Sequence, residues 1–533
     1  MVDDSVKGTP RAYGGVSQEL YQRISAYYAT NTTSTTMLHT SGPVPRDAPA
    51  CYQGEPHVTE AVARAWLQAE GVALATNVAL DSASLELENG QTRLSALKLA
   101  NGSVVTGGAF VDASYEGDVL PLAKVPFALG REGVLAYNES FAGKGLCGDA
   151  SRSGQPGSNW QAFDATVSAL ETPGGGAGAA LLPGVWERYP SQPDGGDSLL
   201  QSFNFRICLT TSSDPAKARP WPPPASRNAS LATLLERYIV ARSKSSKPLQ
   251  SASDFFGCFA YTHGKCDAND GRAIGLNPMG QETWTWPEAP PARRRQLQQS
   301  FVDYTLQLLH HVANSTTVPA HVRADVARYR LCADEWPDLG HFPFMPYVRE
   351  GRRMQGQALF TQADWALRMG APLPLGWSGA SAVSPEANTT IGLGSWFLDC
   401  HALQHVALPP GHAGEDPTVA NEGCIQYGRT FTDTGRVFGL PLFLLLPAND
   451  SSMPGNLLVT GALSSSHVGL QPLRIEPTFM VLGQAAGTLA ALIAGGKQRA
   501  WDTDLQHLVD LLRTNGAILS RDAMPSSTPQ EKC

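Results

Sequence analysis

From Asn456 the chain reads NLLVTG, then ALSSSHVGLQPLRIEP, then TFMVLGQAAGTLAALIAGG. The first piece is apolar and stops at Gly461, as a strand does. A polar loop with Ser464, Ser465, Ser466, His467 and Arg474 follows. Glu476-Pro477 then opens a helix crowded with small residues, a pair well suited to a first turn. Strand, polar loop and small-residue helix is an arrangement that brings backbone N–H groups and a positive helix end close to a nucleotide-type ligand. The segment therefore points to an α/β cofactor fold.

Three further stretches accompany it. One is Phe110-Val111-Asp112-Ala113-Ser114-Tyr115-Glu116-Gly117-Asp118, followed by Gly130-Arg131-Glu132. Another is Phe203-Asn204-Phe205-Arg206 running into Leu209-Thr210. The third is Tyr347-Val348-Arg349-Glu350-Gly351-Arg352-Arg353-Met354, with Thr361 and Asp364 after it. In this order the four stretches resemble a family of FAD-dependent oxidoreductases, distantly akin to the glutathione-reductase-type flavoproteins, from about Tyr13 to Leu519.

The resemblance implies FAD as cofactor and a hydride taken from a small organic substrate. It implies an α/β fold: an FAD/NAD(P)-binding Rossmann-like domain, N-terminally incomplete, with a large inserted α+β substrate domain. Residues 1–142 and 429–520 are assigned to the cofactor domain, 143–428 to the insertion, and 521–533 to a disordered tail. In such flavoproteins the loop before the small-residue helix lies against the isoalloxazine, and the helix N-terminus stabilises negative charge on it. Gly461, Ser466, Arg474, Glu476 and Pro477 are accordingly assigned to the cofactor, with Val72 at its adenine end. His467 is assigned proton transfer.

One part of the family pattern is missing. Such proteins open with a strand, a G-x-G-x-x-G turn and a helix that receives the pyrophosphate. This sequence opens MVDDSVKGTPRAYGGVSQEL instead. The nearest lookalike, Gly174 to Ala179, follows Thr172-Pro173 rather than an apolar strand and reads as a flexible glycine run. The expectation is a truncated chain with uncovered apolar strand faces and a weakened hold on FAD.

Each candidate residue also has a structural reading. Asp112, Glu116 and Asp118, with Gly117 among them, face a ribose or the ligand crevice, or else they build an Asx-type turn. Arg349, Arg352 and Arg353 offer guanidinium forks to a carboxylate or to the flavin edge, or form an exposed basic turn paired with Glu350. Arg206 binds substrate or closes a buried ion pair. Asp399-Cys400-His401 lacks spaced partners for a metal. Gly483, Ala485, Ala486 and Gly487 read as close-packing positions.

Local patterning predicts a helix over Pro56 to Glu70, a strand over Gly71 to Val78, and a meander with turns at Asn89-Gly90 and Asn101-Gly102. An amphipathic helix begins at Arg293, and another runs from Asp504 to Leu512.

With 42% hydrophobic and 17% charged residues, the chain has the composition of a soluble globular protein. A net charge of −8 argues against nucleic acid as a partner. The apolar run Phe479 to Gly496 reads as a buried helix rather than a membrane span. Sequons at Asn31, Asn101, Asn138, Asn228, Asn314, Asn388 and Asn449 suggest the secretory pathway. Among nine cysteines, Cys258 pairs with Cys266 and Cys400 with Cys424 on spacing alone, or all remain buried thiols. Two other classes stay open: a cofactor-free binding or scaffold protein, and a glycan-active hydrolase using Asp112 and Glu116.

Overall fold

The computed structural model describes residues 9–29, 49–149, 161–175, 179–187, 194–369, 389–412, 414–429, 431–432, 434–496 and 498–526. Asn31, Asn388 and residues 176–178 of the glycine run lie outside them. The chain divides into two compact units. Unit 1 comprises residues 1–140, 350–398 and 428–533, and unit 2 comprises 141–349 and 399–427. Residues 350–398, inside the stretch read as an insertion, thus belong with unit 1.

Unit 1 is mixed α/β. The meander forms from Leu80–Glu88, Gln91–Leu99 and Val104–Thr106, all antiparallel. Its first turn is Asn89-Gly90, both at positive φ (51° and 76°), as a two-residue hairpin requires. Strand Phe110–Asp112 pairs in parallel with Leu457–Val459, Asp112 opposite Val459. Asn456 stitches this pair to the meander: its Oδ1 accepts from Leu94 N (2.8 Å) and its Nδ2 donates to Leu94 O (2.9 Å). Leu94, Phe110, Leu120, Met354, Leu457 and Val459 pack into one core beneath them.

The expected strand from Gly71 to Val78 does not form. Those residues are irregular, and Val72, Leu74 and Val78 are exposed. Its β-branched residues favour extended backbone, but a strand needs a neighbour for its hydrogen bonds, and the described residues give it none. Val104 and Val105 on the last strand of the meander, and Val111 on the strand Phe110–Asp112, are exposed as well.

The small-residue helix runs over Glu476–Gly496. It is long and apolar enough to cross a membrane, yet it buries Val481, Leu482, Ala485, Ala486, Leu489 and Ile493 within unit 1. Gly483 and Gly487 are not close-packing positions, because a Cβ on either would meet open space. The buried stripe is the alanine and leucine face instead. Gln484, on the same helix, accepts from Val16 N at 3.0 Å and so holds the helix Gly15–Ala29 alongside. The tail assigned to disorder from 521 begins with an ordered turn, Arg521–Ala523. Arg521 donates to the carbonyls of Arg368 and Val437, which holds the turn in place.

Unit 2 holds a five-stranded antiparallel sheet in the order Ala218–Arg219, Arg330–Cys332, Ile207–Thr210, Lys265–Asn269, Gly257–Ala260. Disulfides Cys208–Cys332 and Cys258–Cys266 staple neighbouring strands of it. The helix read from Arg293 runs over Pro291–Asn314 and buries Leu297, Phe301, Leu308 and Val312, the stripe set by their spacing. Cys424 pairs with Cys147, not Cys400. The Cys147 N–H donates to Asn421 O (2.9 Å), which sets the two cysteines 5.0 Å apart at Cα, and Cys400 remains a buried thiol.

Candidate active site

The loop after strand Leu457–Val459 is pressed tightly into unit 1. A Cβ at Gly461 would sit 1.9 Å from the carbonyl oxygen of Ser114, so only glycine allows the two backbones to meet. Gly117 is held likewise, at φ 66° with Ala462 against it. Further on, Ser464 Oγ donates to Ala358 O at 2.5 Å, and Ser466 caps the short helix His467–Leu470 by accepting from Gly469 N at 2.9 Å.

This loop brings His467 into a buried ion network. His467 Nδ1 lies 2.9 Å from Glu350 Oε1, and its backbone N–H donates to Glu132 Oε2 at 2.8 Å. Arg353, fully buried, bridges the same two carboxylates at 2.5 Å (Glu350) and 2.6 Å (Glu132). Burial pushes the Glu132 carboxyl up, but Arg353 and the His467 N–H outweigh it and hold it below the ordinary glutamate value.

Glu139 completes the group through Ser466. Its Oε1 accepts from Ser466 Oγ (2.7 Å) and Gln362 N (2.7 Å), while its Oε2 is buried with no partner among the described residues. Burial pushes the Glu139 carboxyl up to about 7. The helix that donates Gln362 N, Gln362–Arg368, is fixed by a capping box between Thr361 and Asp364, which explains both residues of the third sequence stretch.

The other sequence candidates fall in several places. Asp112 is bound within its own turn: Oδ1 accepts from Ser114 N (3.0 Å) and Oγ (2.7 Å), and Oδ2 from Val119 N (3.0 Å). Glu116 is buried, and its carbonyl accepts from Arg352, which also pairs with Asp118 at 3.0 Å. Glu476 accepts from the Tyr115 hydroxyl at 3.1 Å, Pro477 is buried in the first helical turn, and Arg474 is buried beside Gln471. Val72 lies in exposed irregular chain.

The arginines do not form one exposed turn. Arg352 and Arg353 belong to unit 1, while Arg349 belongs to unit 2, where it pairs with Asp270 at 2.8 Å. All three are buried, and buried guanidinium groups take carboxylate partners. Arg206 closes an ion pair with Asp267. In unit 2 His401 lies 3.3 Å from Asp270 and 4.0 Å from Asp399.

A family model for FAD dependent oxidoreductases matches residues 2–512. The chain belongs to that family. No characterised protein and no solved structure gives a significant match.

The family implies FAD, and the residues of unit 1 can be tested against it. Ser465 Oγ, on the loop, and Thr478 Oγ1, in the first turn of the 21-residue helix, are buried without a partner among the described residues. A buried hydroxyl left unpaired costs about 1–3 kcal/mol, so these two donors and the positive helix end suit the polar edge of a flavin. Glu139 Oε2 is unpaired in the same neighbourhood of Ser466. The adenine and ribose end fits less well. Asp112 has both oxygens committed, and Val72 lies in irregular chain.

Sequence reasoning missed Glu139, which stands in Asn138-Glu139-Ser140 and was read only as part of a sequon. Glu350 entered only as the partner of an exposed basic turn, one of the two readings of the arginine stretch. Nothing in their spacing marks either one, because the network assembles residues hundreds of positions apart.

Proposed function

We propose that this chain takes a hydride from a small organic substrate onto FAD, with His467 handling the accompanying proton. The observation that carries the reading is the buried line His467–Glu350–Arg353–Glu132, together with two buried hydroxyls, those of Ser465 and Thr478, that have no partner among the described residues. FAD supplies the two-electron acceptor when bound. Ser465, Thr478 and the start of the helix Glu476–Gly496 would hold its polar edge. Glu350 fixes the His467 ring through Nδ1, which presents Nε2 as the proton acceptor. Arg353 and the His467 N–H hold the Glu132 carboxyl below its ordinary value, so an imidazolium formed on proton uptake would meet negative charge. The Rossmann-like architecture of the cofactor domain is part of the same reading, supported by the parallel pair Phe110–Asp112 and Leu457–Val459.

An oxidising, secretory environment fits the chain. Cys147–Cys424, Cys208–Cys332 and Cys258–Cys266 are bonded, and every sequon asparagine among the described residues is exposed: Asn101, Asn138, Asn228, Asn314 and Asn449.

The first test is the visible spectrum of the purified chain before and after adding FAD. A stoichiometric flavin band supports the reading, and a chain that takes up no flavin sinks it. With flavin bound, His467→Gln is expected to keep the spectrum while slowing flavin reduction about 10²–10⁴-fold. Unchanged reduction by that variant would remove His467 from the chemistry.

A further inference from the structure

Unit 2 contains a cavity whose lining includes none of the residues of the His467 network. It lies between the helices Ala229–Ser243 and Pro291–Asn314, the turn near Met279 and the strand Gln404–Leu408. All its lining residues belong to unit 2. We propose that this cavity, of about 380 Å³, is a second small-molecule site for a neutral amphipathic ligand with an aromatic or alicyclic body and a hydroxyl that donates to His405.

Size and wall chemistry come first. The volume falls in the range of about 300–1,000 Å³ usual for ligand pockets. Leu231, Leu234, Phe301, Pro278 and Met279 supply an apolar wall. Three lining groups are already satisfied by the protein. Asp303 accepts from Ala225 N, from Ser226 N and Oγ, and from Gln299 Nε2. Gln307 is engaged on both sides by the Asn228 backbone. Tyr304 donates its proton to Gly275 O at 2.9 Å. These groups shape the wall but are committed elsewhere.

His405 is different, and its tautomer follows from its neighbour. Asn421 Nδ2 donates to Gln161 O (2.6 Å) and Ala273 O (2.8 Å), so the Asn421 oxygen must face His405. His405 Nδ1 lies 2.6 Å from that oxygen and therefore carries the proton. Burial holds the ring neutral, its pKa pushed down to about 4. Nε2 is then an acceptor, and a hydroxyl donor is what it recognises. A neutral imidazole gives an anion no attraction. The one Arg on the wall, Arg227, is exposed, and the wall carries Glu282 as well.

The test uses the full chain, with any N-glycan at Asn228 removed because that residue borders the cavity, and compares 2-naphthol with naphthalene by saturation-transfer NMR and calorimetry. Saturable binding of 2-naphthol, about 2- to 12-fold tighter than naphthalene, is expected for one added hydrogen bond. His405→Phe is expected to abolish that preference while leaving naphthalene bound. Leu234→Trp fills the cavity and is expected to abolish both, with circular dichroism confirming the fold. The proposal is overturned if neither probe saturates, if naphthalene binds the natural chain as well as 2-naphthol, or if folded Leu234→Trp binds as the natural chain does. The first two outcomes need no variant.

Discussion

Replacing Glu139 with Gln tests the ion network at its most sensitive point. In the folded chain burial raises this carboxyl from an ordinary 4.5 to about 7, so the native state holds a proton that the unfolded chain has released. At about 1.4 kcal/mol per pH unit, this displacement amounts to about 3 kcal/mol. Below pH 4.5 both states are protonated and nothing is lost. Between 4.5 and 7 the native state binds more protons than the unfolded one, so stability falls as pH rises. Above 7 both states are ionised and the full burden of a buried charge remains. Gln keeps the acceptor for Ser466 and Gln362 but never ionises. Its stability relative to the natural chain should therefore improve from about 1 kcal/mol at pH 5 to about 3 kcal/mol at pH 8, on top of a pH-independent offset for the unpaired amide. Urea unfolding followed by tryptophan fluorescence reads this, since Trp365 is fully buried in the same unit. Glu132, held below its ordinary value, acts in the opposite sense: its stabilisation is present above its unfolded pKa and lost in acid. It is common to both proteins and largely cancels. A difference that stays flat from pH 5 to 8 would refute the assignment of a buried, proton-holding Glu139.

Arg353→Met strands Glu132 and Glu350 and should cost about 3–5 kcal/mol, lowering the melting temperature sharply. Arg352→Met, whose partner Asp118 is 33% exposed, should cost about 1 kcal/mol or less by the same measurement. Gly461→Ala sets a Cβ 1.9 Å from a backbone oxygen and should cost more than about 4 kcal/mol or prevent soluble expression, whereas Gly483→Ala, in open space on a helix, should stabilise by about 0.5–1 kcal/mol. Paired Cys208→Ser and Cys332→Ser substitutions should cost about 2–5 kcal/mol, seen as an earlier thermal transition.

The sequence made visible what local rules govern. The Asn89-Gly90 turn, the helix faces at Leu297 to Val312, and the start of a helix at Glu476-Pro477 each follow from propensity and periodicity within a few residues. The strand expected at Gly71–Val78 failed for a non-local reason, the lack of a neighbour. The sequence left Asp112 between a ribose contact and an Asx-type turn, and it could not show Val119, whose N–H closes the turn from seven residues away. Arg349 and Arg353 look alike in sequence and sit four residues apart, yet they serve different units, because the chain crosses between them at residue 350. No spacing rule could join Glu132 to His467, 335 positions later. The family resemblance reached the neighbourhood of that network because its stretches preserve the order of these crossings.

That discontinuity has a consequence for biosynthesis. The network draws on residues 132–139, 350–364 and 464–478, so it cannot close until nearly the whole chain has been made. At about 5–20 residues per second, Glu132 waits on the order of 20–70 s for His467 to emerge. Cys258 can meet Cys266 almost at once, and Cys332 follows Cys208 by 124 residues, while Cys147 must stay unpaired for 277 residues until Cys424 arrives. A product released early could therefore carry native crosslinks in unit 2 and still lack the His467 network. In cells, the vulnerable interval for this protein is the time between its first carboxylates and its last loop.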